Sequence, residues 1–454
     1  MRTRCRKCGA GHGGNEGMVL FFVIALCLGL TAIILLFASS MRLEYRASGN
    51  ALAGAQAEQA LEGARRYVSY VLTNQEEPGR LPELDEYKQE LLQVGDANIW
   101  LLGREPSDPT PQSPTYGLVD EAGKVNINTA PQEVLEALPQ MTPELAAAIV
   151  DWRDADSDLS EGGAESGQYL MLDTPYQCKN SNFESVAELR LVYGMTMDVL
   201  AGEDWNRNSI LDPSEDDGDV SQPRDNQDGR LETGLFEHVT IYRAEPATNA
   251  AGEQKVNPLT AEPDELQQVV QTAGGDRVEI LLAALQQARQ AQPGSLLEFY
   301  MQSGLSEQDF SLIEDSITFT NEATPAGAIN VNTASEAVLS AIPGIGSKNA
   351  AGVISARSGK DAETLASVAW VAEVLEQADA ALAGPHITTR SYQYSADVIA
   401  VGKYGRGFRR VQFVFDTQSG EPRLVARLDL QRSGWPLGQA VRQRLLEEQQ
   451  HAFN

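Results

Sequence analysis

Two acidic stretches in the middle of the chain have the residue types and spacing of cation-binding loops. In Asp204-Trp-Asn-Arg-Asn-Ser-Ile-Leu-Asp-Pro-Ser-Glu215, oxygen-bearing side chains occupy loop positions 1, 3, 5, 9 and 12, namely Asp204, Asn206, Asn208, Asp212 and Glu215. Ile210 stands at position 7, where such loops use a backbone carbonyl. A hard cation such as calcium wants six to eight oxygens, and EF-hand-like loops supply them at these positions. Ser209 replaces the usual glycine at position 6, so the sharp turn is less permissive. The next stretch, Asp225-Asn-Gln-Asp-Gly-Arg-Leu-Glu232, has Asp228-Gly229 in the matching relation but Arg224 where an aspartate is expected. Asp225, Asp228 and Glu232 are its candidate ligands, with Asp216, Asp217 and Asp219 lying between the two loops. A charge run usually means a solvated loop. The ordered spacing favours structural calcium that neutralises mutually repelling carboxylates.

A repeat supplies the second candidate site. Val125-Asn-Ile-Asn-Thr-Ala-Pro through Pro139, continuing to Arg153, aligns without a gap on Ile329-Asn-Val-Asn-Thr-Ala-Ser through Pro343, continuing to Arg357. Each copy reads as a short strand, an Asn-Thr helix cap, a helix, a hairpin turn and a second helix. Pro343-Gly344-Ile345-Gly346 has the turn of helix-hairpin-helix DNA-binding proteins, in which glycines let backbone N–H groups approach a phosphate. The first copy has Pro139-Gln-Met-Thr142 instead, without either glycine. The surroundings are acidic, so structural use of the hairpin is favoured over a DNA-uptake protein that grips nucleic acid there.

The elements that must hold these sites begin at the N-terminus. Met18–Phe37 is an uncharged apolar run, about 30 Å of helix and hence one hydrocarbon core. Arg2, Arg4, Arg6 and Lys7 precede it, so the N-terminus is expected in the cytoplasm and the remainder exported. A signal peptide is the plain alternative, with Ala38-Ser39-Ser40 imitating a cleavage site. The run instead continues into a helix-forming segment, Arg42 to Leu72, with apolar positions Ala51, Leu52, Ala55, Leu61, Ala64, Val68 and Val71 at roughly helical spacing. Near the other end, Ser391–Lys403, Phe408–Asp416 and Arg423–Leu430 alternate as strands. Val411, Phe413 and Phe415 share one face, and Leu424, Ala426, Leu428 and Leu430 another, giving an antiparallel sheet against the N-terminal helix. Tyr116 to Ile127 reads as a hairpin around Glu121-Ala-Gly, and Glu279–Gln290 and Leu296–Met301 as helices.

The formal net charge of −29 repels phosphate backbones and weighs against nucleic acid as a partner. Cys5, Cys8, Cys27 and Cys178 cannot build a disulfide framework, and Cys5-x-x-Cys8 with His12 is one ligand short of a structural zinc site. His12, His238, His386 and His451 are scattered, and no P-loop, HExxH or nucleophile elbow is present, so no enzyme is expected.

The N-terminal pattern resembles type IV pilins and pseudopilins, in which a basic leader ends in glycine and a prepilin peptidase cuts before a hydrophobic helix. Gly17–Met18 matches that junction. The glutamate usual at the fifth mature position is Phe22 here, a departure that resembles the K subunits of type II secretion pseudopilins, as do the inserted helical modules and the run from Asp151 to Tyr176. The resemblance implies a minor pseudopilin at the filament tip, in the inner membrane with its bulk in the periplasm, partnered by other minor pseudopilins and binding calcium. A minor pilin of a type IV pilus is the neighbouring reading. The expected fold class is α+β: a long transmembrane and amphipathic helix packed on a small antiparallel sheet, with a large inserted, mostly helical domain. The expected divisions are a leader at 1–17, the helix at 18–72, a first pseudopilin part at 73–129, the insertion at 130–384, a C-terminal sheet at 385–432 and a tail at 433–454. Within the insertion the modules are placed at about 125–200 and 328–384, and the acidic loops at 203–232.

Overall fold

The computed structural model describes residues 16–75, 77–104, 111–242, 245–273, 275–320 and 328–451. Most of the leader, with Cys5, Cys8 and His12, lies outside these residues. Helix α1 spans Glu16–Thr73, about 87 Å at 1.5 Å per residue. Its apolar first half, Met18 to Phe37, stands fully clear of the rest of the chain, and the second half packs. Ala53, Ala57, Ala60, Leu61, Ala64, Val68 and Leu72 form the buried stripe. Ala51, Leu52 and Ala55, expected in that stripe, are exposed. The reason is close backbone approach: a Cβ on Gly407 would fall 2.3 Å from the Ala53 carbonyl carbon, and one on Gly402 2.6 Å from the Ala53 oxygen. Small residues rather than large apolar ones select the contact face at this end.

Ten strands occur among the described residues: β1 (Leu92–Val94), β2 (Ala97–Leu102), β3 (Val119–Asp120), β4 (Val125–Asn126), β5 (Val239–Thr240), β6 (Ile329–Asn330), β7 (Ile387–Thr388), β8 (Gln393–Gly402), β9 (Arg406–Asp416) and β10 (Arg423–Asp429). An antiparallel sheet runs β1-β2-β8-β9-β10, with β3 also on β8. Facing α1 are Ile99, Leu101, Ala396, Val398, Val411, Phe413 and Phe415. The opposite face, with Trp100, Ile399 and Val401, is covered by Leu437, Val441 and Leu445, because the segment expected as a tail forms the helix Gly438–His451. Edge strand β10 departs from expectation. A register shift between Leu424 and Ala426 breaks the alternation, and Leu424 and Val425 are both exposed rather than packed on α1.

Between β3 and β8 the chain builds one module twice. In the first, β4, helix α2 (Gln132–Glu136) and helix α3 (Pro143–Arg153) are closed by β5, which pairs parallel to β4. In the second, β6 and the helices Glu336–Ser340 and Gly346–Arg357 are closed by parallel β7. The chain therefore does not form a hairpin around Glu121-Ala-Gly: β3 and β4 belong to different sheets, joined by the 3-10 turn Glu121–Gly123. Nor do the Asn-Thr pairs cap helices. Asn128 and Asn332 instead donate to the carbonyls of Phe183 and Leu365, at corresponding places in the two copies, and the helices begin after Pro131 and Ser335. Arg153 bonds the carbonyls of Ile127 and Ala130, and Arg357 those of Val331 and Ala334. Helices Pro263–Ala273, Val278–Ala291, Leu296–Ser303 and Glu307–Glu314 fill the space between the modules and share their core.

One turn fixes both modules to the sheet. Asp120 accepts from Asn330 Nδ2 at 2.8 Å, Thr333 Oγ1 at 2.6 Å, the Ala122 N–H at 2.7 Å and the Ser391 hydroxyl. Its neighbour Glu121 accepts from Thr240 Oγ1 at 2.6 Å and pairs with Lys124 at 3.1 Å. Burial pushes the Asp120 carboxyl up despite these donors. Burial acts the same way on Glu121, but Lys124 and the hydroxyls outweigh it and hold Glu121 below its ordinary value.

The hairpin turn survives the loss of glycine in the first copy. Gln140 takes φ 59° where Gly344 takes φ 81°. A Cβ at Gly344 would meet the Asp379 carbonyl at 2.1 Å. Gly344→Ala should therefore cost roughly 3 kcal/mol in a denaturant titration, whereas Gln140→Gly should be neutral or stabilising.

Candidate cation site in the acidic loop

The acidic segment is an excursion from the first module. It leaves at Gly202 and returns at Thr233, which form a β-bridge, and Gly202 and Gly234 pass so close that a Cβ on either would clash with backbone. In the second module the helix Gln377–Ala383 runs through Gly384–His386 straight into β7, with no such excursion.

Within the loop, Asp204 is buried and accepts from the N–H groups of Asn208 and Ser209, both at 2.9 Å. Asn208 Oδ1 accepts from the Ile210 N–H at 2.8 Å, and Glu215 from the Asp212 N–H at 3.0 Å. The amides of Asn206 and Asn208 both donate to Asp212 Oδ2, at 2.8 and 3.1 Å, which leaves Asn206 Oδ1 buried without a partner. Arg207 and Ser209 take positive φ, so Ser209 makes the turn that glycine usually makes at this position. The second loop folds against the first through Glu203, which accepts from the Glu232 N–H at 2.9 Å. Asp225 accepts from the N–H groups of Asp217, Gly218 and Gln227, Asp228 from that of Arg230, and Glu232 from the Asn226 amide. Asp204 through Glu215 are thus gathered in one tight loop. Asp225, Asp228 and Glu232 instead close turns of their own. Among the described residues, no three carboxylate, histidine or cysteine side chains form a ready metal cage.

The electrostatics of the first loop are those of carboxylates short of positive charge. Burial pushes Glu215 up to about 9, and Asp204, Asp212 and Glu203 add to the rise. Burial raises Asp204 as well, against the pull of Arg104. The orphaned Asn206 oxygen and the crowded carboxylates fit an oxygen-seeking cation, which would relieve both.

Four residues that anchor the loop carry no motif. Arg410 of β9, fully buried, holds Asp397 of β8 through Nε at 2.9 Å and Nη2 at 2.6 Å, and donates also to the carbonyls of Asn206 and Arg207. Arg104 bonds Glu237 at 2.7 Å and the Arg207 carbonyl at 3.1 Å. Arg410 and Asp397 stand out in the sequence only as charges within the long strands β9 and β8, and Arg104 and Glu237 carry no such signal.

The Pro343–Gly346 turn is used internally. Ile345 is buried, Gly344 lies against the helix Gln377–Ala383, and Lys348 pairs with Asp379 at 3.4 Å. Gly17 and Met18 lie in the first turn of α1.

The pH dependence has a definite sign. The raised carboxyl of Glu215 binds a proton in the folded state over a range where the unfolded chain, at about 4.5, has lost it. With chelator present, stability is highest below pH about 4.5 for this group and falls as pH rises towards about 9. Thermal melts in EDTA across that range should show the decline, and Glu215→Gln should flatten it.

Residues 124–202 match the family model for type II secretion system (T2SS), protein K, ending where the acidic excursion begins. A type II secretion system protein K of Pectobacterium carotovorum subsp. carotovorum is 41% identical over 56 residues, and the chain spans only 17% of that relative's length and 12% of its own in the match. The crystal structure of the GspK-GspI-GspJ complex from the enterotoxigenic Escherichia coli type 2 secretion system aligns over 86% of this chain and 99% of that one, at 11% identity and a TM-score of 0.39. The family match covers the first module, from its opening strand to the mouth of the acidic loop.

Proposed function

We propose that this chain is a minor pseudopilin of a type II secretion system, a structural part of the machine rather than an enzyme. Met18–Phe37 anchors it in the inner membrane, and the sheet and modules lie in the periplasm. The observation that carries this reading is the division of α1. Half of it is an exposed apolar rod, and half is the packed backbone of an antiparallel sheet. In water the exposed half has no stable place, so bilayer before assembly and neighbouring helices afterwards are its natural surroundings. Other minor pseudopilins are the proposed partners. Phe22, standing where the resembling class carries a glutamate, has no charge to satisfy, as suits a subunit with none above it. The bulk of the two modules gives the same result, since it would obstruct a further subunit stacking on top.

Treatment with a prepilin peptidase should yield a mature chain beginning at Met18, read by intact mass and N-terminal sequencing. Gly17→Val should block the cut. An uncut parent chain, or a cut near Ser40, would remove the filament reading.

Calcium is the proposed occupant of the first acidic loop, with Asp204, Asn206, Asn208, Asp212, Glu215 and the Ile210 carbonyl as its ligands. Asp225, Asp228 and Glu232 support the loop from outside. The ion would supply the positive charge that the buried carboxylates lack. Saturating calcium at about a hundred times Kd should stabilise the fold by about 2.7 kcal/mol. Asp212→Ala should lose that gain, and an equal gain in the variant would exclude this loop.

A further inference from the structure

The chain carries a net charge of −29, yet the part of the head nearest the apolar run is basic. The corner between β8 and β9, Lys403–Gly405, is flanked by Gly402 and Gly407, which both lie against Ala53. Ala53 is the first buried residue of α1, so this corner is the underside of the head, facing Met18–Phe37.

Arg42, Arg46, Gly49 and Ala53 follow one another at spacings of four, three and four, which places them on one face of α1. That face is the one that meets the sheet, because a Cβ on Gly49 would lie 3.2 Å from Arg406 Nη1. Arg42 and Arg46 come before the packed part of the helix and are exposed. They therefore project into the notch beneath the head, with Arg46 only about 4.5 Å of helix rise below Gly49. Acidic groups do not cancel this charge. Glu44 is two residues from both arginines and so lies on the opposite side of the helix. Glu58 is met by Arg427 at 2.7 Å and Arg409 at 3.6 Å, and Asp96 lies 3.8 Å from Lys403.

The notch stands at the depth of lipid phosphates. A hydrocarbon core of about 30 Å in a bilayer of about 40–45 Å leaves roughly 5–8 Å of headgroup on each side. Arg42 is about 7.5 Å of helix rise beyond Phe37 and Arg46 about 13.5 Å. Side chains lean towards a helix's N-terminus, here towards the bilayer, which brings both guanidinium groups down. Tyr45, 75% exposed, stands between them with the amphipathic ring favoured at membrane–water interfaces.

Resting on the reading of Met18–Phe37 as a membrane span, we propose that Arg42 and Arg46 hold the phosphates of anionic phospholipids beneath the head. Arg406 and Lys403 above them strengthen the field. Guanidinium groups pair with phosphate oxygens bidentately, which suits this role. An anionic surface repels the acidic remainder of the chain, so the notch is what keeps the foot of the rod on it. A cut behind Gly17 removes Arg2, Arg4, Arg6 and Lys7, and Arg42 then becomes the charged side chain nearest the span.

The test reconstitutes the full-length chain in phosphatidylcholine vesicles with and without phosphatidylglycerol, using spin-labelled analogues of both lipids to read which one the protein retains. Phosphatidylglycerol should be retained in preference, and about 0.5 M salt should weaken that preference. Arg42→Gln with Arg46→Gln should lower it about fivefold for each arginine lost, and Arg42→Lys with Arg46→Lys should keep most of it. Arg423→Gln, at the far end of β10, should leave it unchanged. All three arginines are exposed, so no buried contact is lost in any variant. A chain that inserts without preference, or a preference that the double glutamine variant keeps, would overturn the notch and leave the anchor standing. A chain that enters neither kind of vesicle would overturn both.

Discussion

Two adjacent carboxylates hold this molecule together. Asp120 and Glu121 share one short turn at the point where the chain leaves the sheet, and they face different modules. Asp120 gathers Asn330 and Thr333 of the second module and Ser391 at the approach to β8, while Glu121 takes Thr240 of the first. Hydroxyls and an amide satisfy Asp120, and a single lysine balances Glu121. Removing one partner from such a network leaves a buried charge uncompensated, which is far costlier than the net worth of the contact. The arrangement explains how two halves of a repeat some 200 residues apart meet on one small sheet.

The remaining architecture divides its work by residue size and charge. Alanines and glycines bring α1 onto β8 and β9 at backbone distance, so the rod leaves the sheet from a tight seat. The large apolar residues are spent on the modules, whose core is the most extensive in the chain. Buried carboxylates occur on the sheet side at Asp120, Glu121 and Asp397, and otherwise stand out in the first module. There, carboxylates are buried at two places, and the second copy has serines or no loop at all.

What could be read beforehand followed from periodicity and repetition. Strands β8, β9 and β10 alternate clearly, and the two hairpin modules announce each other by ungapped alignment. In α1 the helical spacing picks out Leu61, Ala64 and Val68, which are buried, but selects Leu52 where the close approach requires Ala53. The closing strands Val239–Thr240 and Ile387–Thr388 are two residues each and carry no period to detect. The polar composition of 433–454 reads as a tail, although Leu437, Val441 and Leu445 recur every fourth residue. A bulge is invisible to alternation by its nature, and so the exposed face of β10 was assigned inward. At the acidic loop the spacing identified the oxygens but could not reveal Arg410, whose partners lie about 200 residues away in the chain.

The excursion at Gly202 and Thr233 begins and ends at neighbouring residues. In polymer terms it is a closed ring, so its disorder or order changes the end-to-end constraint on the module hardly at all. Such a segment can melt as a unit of its own while the helices beneath it stay folded. Yet its tip also carries the carbonyls of Asn206 and Arg207 that Arg410 grips from the sheet. Melting the ring would release that grip and leave the Asp120–Glu121 turn and the Arg104–Glu237 pair as polar ties between the first module and the sheet. Order within the ring and the grip of Arg410 on its tip are therefore linked: each holds only while the other does.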